Sequence, residues 1–345
     1  MDNVAVHQSR LKEEENLVVS GIQETILSSY PKLHTLLVCV AFHLVYLILP
    51  LLTTVFPFLL LFRNEGKLSR TCGFVLIVGW CSQINGVEKK LGKVMPWICE
   101  WGFWKYLFSW FPITIERKKE LDPRRTYIFG VHPHGAIAFN RAAYGFDERN
   151  LWQKAFPGID YRVLTATAAF CVPVIRELWL WTRCVSADKL TARRVLAAKK
   201  SIVIFIGGER EQILSQRGKH ILYLKKRKGF VKLAIETKSP LIPIYAFGEV
   251  DLYHHYNFLL SFRTYLVNTF GIAIPLISGS IFLLPYKTPL HIIVGEPIEP
   301  PSSPSDIIDD DMINQLHSRY MIALQSLFDE NKARCGYPNA QLIIT

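Results

Sequence analysis

Apolar residues are not spread evenly along this chain: they run together in its first third and alternate with polar ones beyond. Between Lys32 and Arg63 lie 30 residues without an Asp, Glu, Lys or Arg, the mark of a segment whose solvent is hydrocarbon. Drawn as one straight helix, they would measure about 45 Å against a bilayer core of about 30 Å. Pro50 and Pro57 interrupt the run, and each deletes a backbone donor and bends a helix. Residues 33–62 are therefore expected to form a membrane-embedded helical hairpin in preference to a tilted span. Residues 71–87 are also uncharged but carry Gly73, Gly79, Ser82, Gln83, Asn85 and Gly86; they read as a second leg or as core. Trp97, Trp101, Trp104, Phe108 and Phe111 then recur at helical spacing, an aromatic stripe within 88–112 suited to a head-group boundary or to packing on the body. Residues 1–32 are polar and net acidic, which reads as a flexible tail and not as a cleaved leader.

Beyond Pro112 the texture changes to short β-branched runs separated by helical periodicity. Strands are expected at 126–131, 162–166, 202–206, 241–247 and 291–294. Between them, Ser186 is expected to cap a helix ending at Lys199 and Lys200, and 229–237 starts another with Phe230, Leu233 and Ala234 on one face. A closing amphipathic helix spans 306–331. This alternation predicts an α/β body at 113–345, with a mixed or largely parallel sheet flanked by helices and a site just beyond the strand ends. The uncharged window 264–286 holds Asn268, Gly271, Pro275 and Gly279 and is expected to be a buried, irregular wall, since lipid would leave its backbone unsatisfied.

Charge sharpens this picture. The chain has 40 Lys and Arg against 29 Asp and Glu, while residues 1–31 hold only two basic side chains and five acidic ones, so the body carries the excess. Such a surface suits lipid head groups or a polyphosphate ligand. Nucleic acid is excluded as a partner by the absence of any zinc-finger spacing, RNA-reading aromatic signature or basic heptad. The seven cysteines are scattered, without a CxxC, and read as reduced packing residues with no metal site. The lack of an N-x-S/T sequon agrees with a body that stays out of the lumen.

Three stretches carry chemistry. Gly130-Val131-His132-Pro133-His134-Gly135 follows a strand; proline stiffens the pair of imidazoles and glycine lets the backbone turn. A histidine held this way is a candidate general base, neutral at cytosolic pH. After the next strand comes Gly207-Gly208-Glu209-Arg210-Glu211, whose acid can orient a histidine, Glu211 being the better placed. Residues 217–232 then hold seven cations and no acid, a phosphate-seeking run that fits CoA phosphates or anionic lipid equally.

Together these blocks resemble the diacylglycerol acyltransferase family of the HPHG type, which also includes monoacylglycerol and wax-ester acyltransferases. The resemblance rests on Trp110-Phe111-Pro112, on His132 to Gly135, on Gly207, Gly208 and Glu211, on Arg227, Gly229 and Phe230, on Phe247 to Glu249, and on Val294, Gly295, Pro297 and Ile298, in the family's order. It implies transfer of a fatty acyl group from acyl-CoA, a co-substrate and not a cofactor, to a lipid hydroxyl, with diacylglycerol first and triacylglycerol as product. It implies an endoplasmic-reticulum membrane enzyme facing the cytosol, also found at lipid droplets. It assigns His134 as base paired with Glu211, with His132 and Gly135 in support, and Pro133, Gly207, Gly208, Arg227, Lys228, Gly229 and Phe230 at the substrates. The sequence departs from the family after HPHG, at Ala136-Ile137-Ala138-Phe139-Asn140, and in the Glu-Arg spacer of its GGxxE; both bear on acceptor choice.

Without a covalent intermediate, His134 would deprotonate the hydroxyl as it attacks the thioester, and backbone N–H groups around Gly135 would hold the oxyanion. A glycerophospholipid acyltransferase of the His-x4-Asp type is disfavoured, because Ile137 and Phe139 stand where its acid would be. Monoacylglycerol, a fatty alcohol or a sterol as acceptor, a non-catalytic lipid-binding or droplet-shaping role, and self-association stay open at this level.

Overall fold

The computed structural model describes residues 17–20, 31–62, 66–82, 84–104, 110, 112–145, 151–172, 174–271, 273–301 and 308–345. The strands of its main sheet are β1 Leu17–Ser20, β2 Ile113–Arg117, β3 Ile128–His132, β4 Tyr161–Thr165, β5 Cys184–Ser186, β6 Ser201–Phe205, β7 Leu241–Phe247 and β8 Leu290–Val294. They lie in the order β1-β2-β8-β7-β3-β6-β4-β5. From β7 to β5 every neighbouring pair is parallel; β8 runs against β7, β2 runs with β8, and β1 closes the edge antiparallel to β2. The expected mixed α/β sheet is thus observed, and all five expected strands fall within it. The edge strands β1 and β5 and the penultimate β2 carry too little pattern to be expected, and β1 lies in the stretch read as a flexible tail.

The principal helices are α1 Pro31–His43, α2 Leu49–Phe62, α3 Lys67–Ser82, α4 Lys189–Ala197, α5 Gly208–Leu214, α6 Gly229–Thr237, α7 Leu260–Phe270 and α8 Asp310–Asn331. Alternation along the central strands splits the core into two layers. Ile128, Ile202, Leu241, Tyr245 and Phe247 face α4, α6 and α8, while Phe129, Val131, Val203, Ile242 and Ile244 face Trp152, Phe156 and Tyr161. β3 is buried along its whole length, as a central strand covered on both faces must be.

Helix α6 buries Phe230, Leu233 and Ala234 as its spacing predicts. Helix α4 starts later than expected: Ser186 is still paired with β4, and Asp188 is the cap, accepting from the N–H of Thr191 at 2.8 Å. Helix α8 is capped by Asp309, which accepts from the N–H of Met312 at 2.7 Å; the expected start at 306 lies outside the described residues.

The N-terminal arm differs from its expectation. α1 and α2 follow end to end, separated by a π turn at Leu44–Ile48, and Pro57 is accommodated inside α2. The partner leg is α3: a Cβ on Gly73 would stand 2.6 Å from the backbone nitrogen of Leu61, so glycine is what lets the two backbones approach. Among the described residues no helix is long and apolar enough to cross a membrane, the π turn having divided the apolar run into helices of 13 and 14 residues. α1 docks on the body through buried Val38 and Phe42, and Phe42 packs 5.5 Å from Phe139.

Two further expectations are corrected. The stripe from Trp97 is not one helical face, because the helix there ends at Cys99; Trp97 and Trp101 are exposed while Trp104 and Trp110 are buried, their indole N–H groups donating to Ile98 and Pro285 carbonyls. Phe108 and Phe111 lie outside the described residues. The window 264–286 is no buried wall: α7 occupies its start, Gly271 ends that helix at φ +65°, and Tyr265, Ile281 and Phe282 are exposed.

Candidate active site

The HPHG loop leaves the C-terminal end of β3 between two parallel neighbours. His132, the last residue of β3, is wholly buried. Its Nε2 lies 3.1 Å from the hydroxyl of Tyr320 on α8, and that hydroxyl lies 3.2 Å from the carbonyl of Gly130. A carbonyl can only accept, so the tyrosine donates there and His132 donates through Nε2–H to the tyrosine. Burial pushes the His132 pKa down to about 3. This imidazole is a neutral strut beneath the loop.

His134 has the opposite surroundings. It is half-buried, its ring 5.5 Å from that of Phe205 at the end of β6, and its Nδ1 is 3.1 Å from the carbonyl of Gly135. By the same reasoning Nδ1 carries the proton, which leaves the lone pair on Nε2. Burial lowers the His134 pKa below 6.5, against the upward pull of the Gly135 carbonyl and of Glu209. The residue therefore offers a neutral, acceptor-ready nitrogen at pH 7.

Glu211 reaches the loop in a form the sequence did not anticipate. Its carboxylate accepts from the main-chain N–H of His134 at 2.5 Å and from that of Tyr223 at 3.0 Å, so it grips the backbone and not the imidazole. The ring is oriented by its neighbour's carbonyl. Glu211 is buried, and desolvation pushes its pKa up to about 7 despite those two bonds. Gly207 makes the room, because a Cβ there would stand 2.1 Å from Glu211 Oε2. Gly208, at φ +57°, turns the chain from β6 into α5.

On the other sheet face a groove of about 410 Å³ opens between α4 and α6, lined by Lys226, Arg227, Lys228, Gly229 and Lys232 together with Ile204 and Ile206. Arg227 donates to the Gly207 carbonyl at 3.1 Å, which ties the groove to the turn that carries Glu211. Lys228 is held by Asn314 on α8 at 2.6 Å, and Phe230 packs 4.9 Å from Tyr320, so its role is in the wall. His134 is not among the lining residues. Among the described residues no three His, Cys, Asp or Glu side chains converge as a metal would require.

The chain's own motifs find their counterpart in known proteins: the diacylglycerol acyltransferase family model matches residues 71–345. The chain belongs to the diacylglycerol acyltransferase family. It is 32% identical over 278 residues to diacylglycerol O-acyltransferase 2A of Umbelopsis ramanniana, covering 75% of this chain and 77% of that one. It is 32% identical over 270 residues to 2-acylglycerol O-acyltransferase 1 of Mus musculus, covering 73% and 79%, and 31% identical over 284 residues to mouse acyl-CoA wax alcohol acyltransferase 1, covering 78% and 84%. Among solved structures, the 1-acyl-sn-glycerophosphate acyltransferase PlsC of Thermotoga maritima aligns with a TM-score of 0.41 at 13% identity over 88% of this chain and 98% of that one. Family membership makes the chain an acyltransferase of the acyl-CoA-dependent acylglycerol and wax-ester type.

Within this acyltransferase three participants escaped the sequence reading. Tyr320 looked like one more apolar position of α8, and Asn140 like loop. Glu249, quoted above only as part of a family block, is a second buried carboxyl that accepts from the N–H groups of Phe139 at 2.8 Å and Asn140 at 2.7 Å. Its position one residue past the glycine that ends a wholly apolar strand, as Glu211 stands four past Gly207, was the available signal. Pro133 is buried, its carbonyl taken by Asn140 Nδ2 at 3.3 Å, so it shapes the loop and is not a contact surface.

Proposed function

We propose that this acyltransferase moves a fatty acyl group from acyl-CoA to the free hydroxyl of diacylglycerol, forming triacylglycerol, with His134 as general base. The observation that carries the reading is the Nδ1 to Gly135 carbonyl contact, which leaves the lone pair of His134 on Nε2. Nε2 takes the hydroxyl proton as the alcohol oxygen attacks the thioester carbon, the C–S bond breaks, and the imidazolium returns the proton to the CoA thiolate. The N–H groups of Gly135 and Ala136, at the start of the turn, make no hydrogen bond among the described residues and are the donors offered to the oxyanion. The basic groove suits the CoA phosphates.

A membrane supplies both substrates. Exposed Leu36, Leu52, Leu59 and Phe62 on α1 and α2, with Phe258, Phe262 and Tyr265 at α7, give the protein an oily surface suited to lie in a lipid interface. The seven free cysteines accord with a body on the cytosolic side of the endoplasmic reticulum.

The deciding experiment offers labelled acyl-CoA to the membrane-embedded enzyme with diacylglycerol, monoacylglycerol, a fatty alcohol and a sterol in turn. Diacylglycerol is expected to give the highest kcat/KM; a higher value with another alcohol reassigns the acceptor, and no ester from any of them defeats the enzymatic reading. In the same assay kcat/KM should rise with pH up to about 8 and level off above: protonation of His134, whose pKa lies below 6.5, removes the base at the acid end, and Glu211, at about 7, ionises through the upper part of the limb, its anion being the better acceptor for the loop N–H. An acid limb that survives unchanged in His134→Gln would assign the titration elsewhere.

A further inference from the structure

The HPHG loop is held from both sides, and only one side has a part in the mechanism above. Glu211 comes from beyond β6 and fixes the main chain at His134. Glu249 comes from beyond β7, the strand on the other flank of β3. Gly248, at φ +94° and with the Pro289 carbonyl 2.1 Å from where a Cβ would stand, turns the chain so that Glu249 points inward. Both Glu249 oxygens are spent on consecutive backbone donors, Phe139 N–H and Asn140 N–H, and the side chain also lies against the turn: a Cβ on Gly135 would stand 2.7 Å from Glu249 Oε1. Asn140 then closes the loop back on Pro133 through Nδ2.

The two carboxyls therefore pin the loop at 134 and at 139–140, and the four N–H groups from Gly135 to Ala138 stand between the pins. Ala138 adopts φ +56°, a left-handed conformation that a non-glycine residue keeps only when its surroundings impose it. A buried acid on two amides, with no cation facing it in an ion pair among the described residues, is a costly way to stabilise a core. It is an effective way to fix the direction of the amides beside it.

We propose that Glu249 is a positioning residue for catalysis: by gripping Phe139 and Asn140 and backing Gly135, it aims the N–H groups of Gly135 and Ala136 at the oxyanion and holds the His134 ring against its own turn. This rests on the reading of His134 as base. Glu249 touches no substrate atom in this account, and its contribution lies in the transition state. A misplacement of about 1 Å in such a site costs on the order of 10²-fold in rate, and a lost oxyanion donor about 10² to 10³-fold.

The test compares Glu249→Gln, Glu249→Asp and His134→Ala in full-length, membrane-reconstituted enzyme. The probe for folded sites is a non-reactive acyl thioether of CoA, used to normalise kcat per binding site. Gln keeps the volume but can accept only one of the two N–H bonds, turning its own amide NH₂ toward the other donor. It is expected to lower kcat per site by about 10-fold to 30-fold, with the acyl-CoA KM and the thioether Kd within about twofold of wild type. Asp keeps both acceptors on a shorter arm and should recover part of the loss, and it serves as the readout if the Gln variant does not fold. Wild-type kcat per site in Glu249→Gln, or in Glu249→Asp where the Gln variant does not fold, or a loss that appears only in KM or only in the number of folded sites, overturns the proposal. If His134→Ala is inactive while Glu249→Gln turns over normally, positioning by Glu249 fails and the base reading stands; if His134→Ala is fully active, the base reading fails.

Discussion

Replacing His134 with alanine is expected to lower kcat by about three to four orders of magnitude, the upper part of what a positioned base contributes, with acyl-CoA binding unchanged. The ring is half-buried, packs on Phe205 and takes part in one hydrogen bond, to the adjacent Gly135 carbonyl, so its loss removes little of the fold. The melting temperature should stay within a few degrees of wild type. His132 predicts the opposite behaviour. Its ring is wholly buried and bonded to Tyr320, so His132→Ala should cost stability first, through a cavity and an orphaned hydroxyl. Esterification of labelled acyl-CoA by purified variants, read beside thermal melts, separates the two histidines; a His134→Ala enzyme with more than a tenth of wild-type kcat would remove it from the chemistry.

Gly207→Ala is the second large effect. The backbone there is ordinary, at φ −63°, so the barrier is space: the new methyl would lie 2.1 Å from Oε2 and 2.6 Å from Cβ of Glu211. The carboxylate is buried and cannot swing into solvent, so the main-chain N–H groups of His134 and Tyr223 both lose their acceptor. The expected outcome is a fall in kcat of about 10²-fold and a melting temperature lower by about 3 °C, corresponding to about 2 kcal/mol of overpacking and unpaired amides. In a Glu211→Gly background, where Cβ is gone as well as the carboxylate, the methyl has room, so Gly207→Ala should add almost nothing there, the non-additivity of two changes that act on one group. Independent losses in the double variant would show that Gly207 matters for some other reason.

The body of the fold was legible because its strands and helices obey simple periods. β3, β4, β6, β7 and β8 are dense in β-branched and aromatic residues, and α6 and α8 repeat their apolar face every three to four positions. What escaped was set by tertiary pairing. β5 has three residues and is a strand only because β4 lies beside it, while α7 looked irregular because Phe262 and Tyr265 face outward, Val267 is buried, and no amphipathic stripe results. At the site, the motif residues could be read but their contacts could not. Glu211 to His134 was expected as carboxylate to imidazole and is carboxylate to amide, a distinction that depends on where the β6 turn ends relative to β3. Glu249 could be recognised only once β7 was known to flank β3.

The carboxyls that hold the loop belong to segments 77 and 110 residues away along the chain. Each is delivered by a strand in parallel register with β3, Val131 opposite Phe205 on one side and His132 opposite Tyr245 on the other. A slip of one residue in either ladder would carry the acid about 3.3 Å along the strand, too far to reach its amide. Turnover is therefore a stringent reporter of correct strand alignment: an ensemble that has collapsed and acquired its helices but mispaired these two ladders should bind lipid and be inert, and activity during refolding should lag behind helical content.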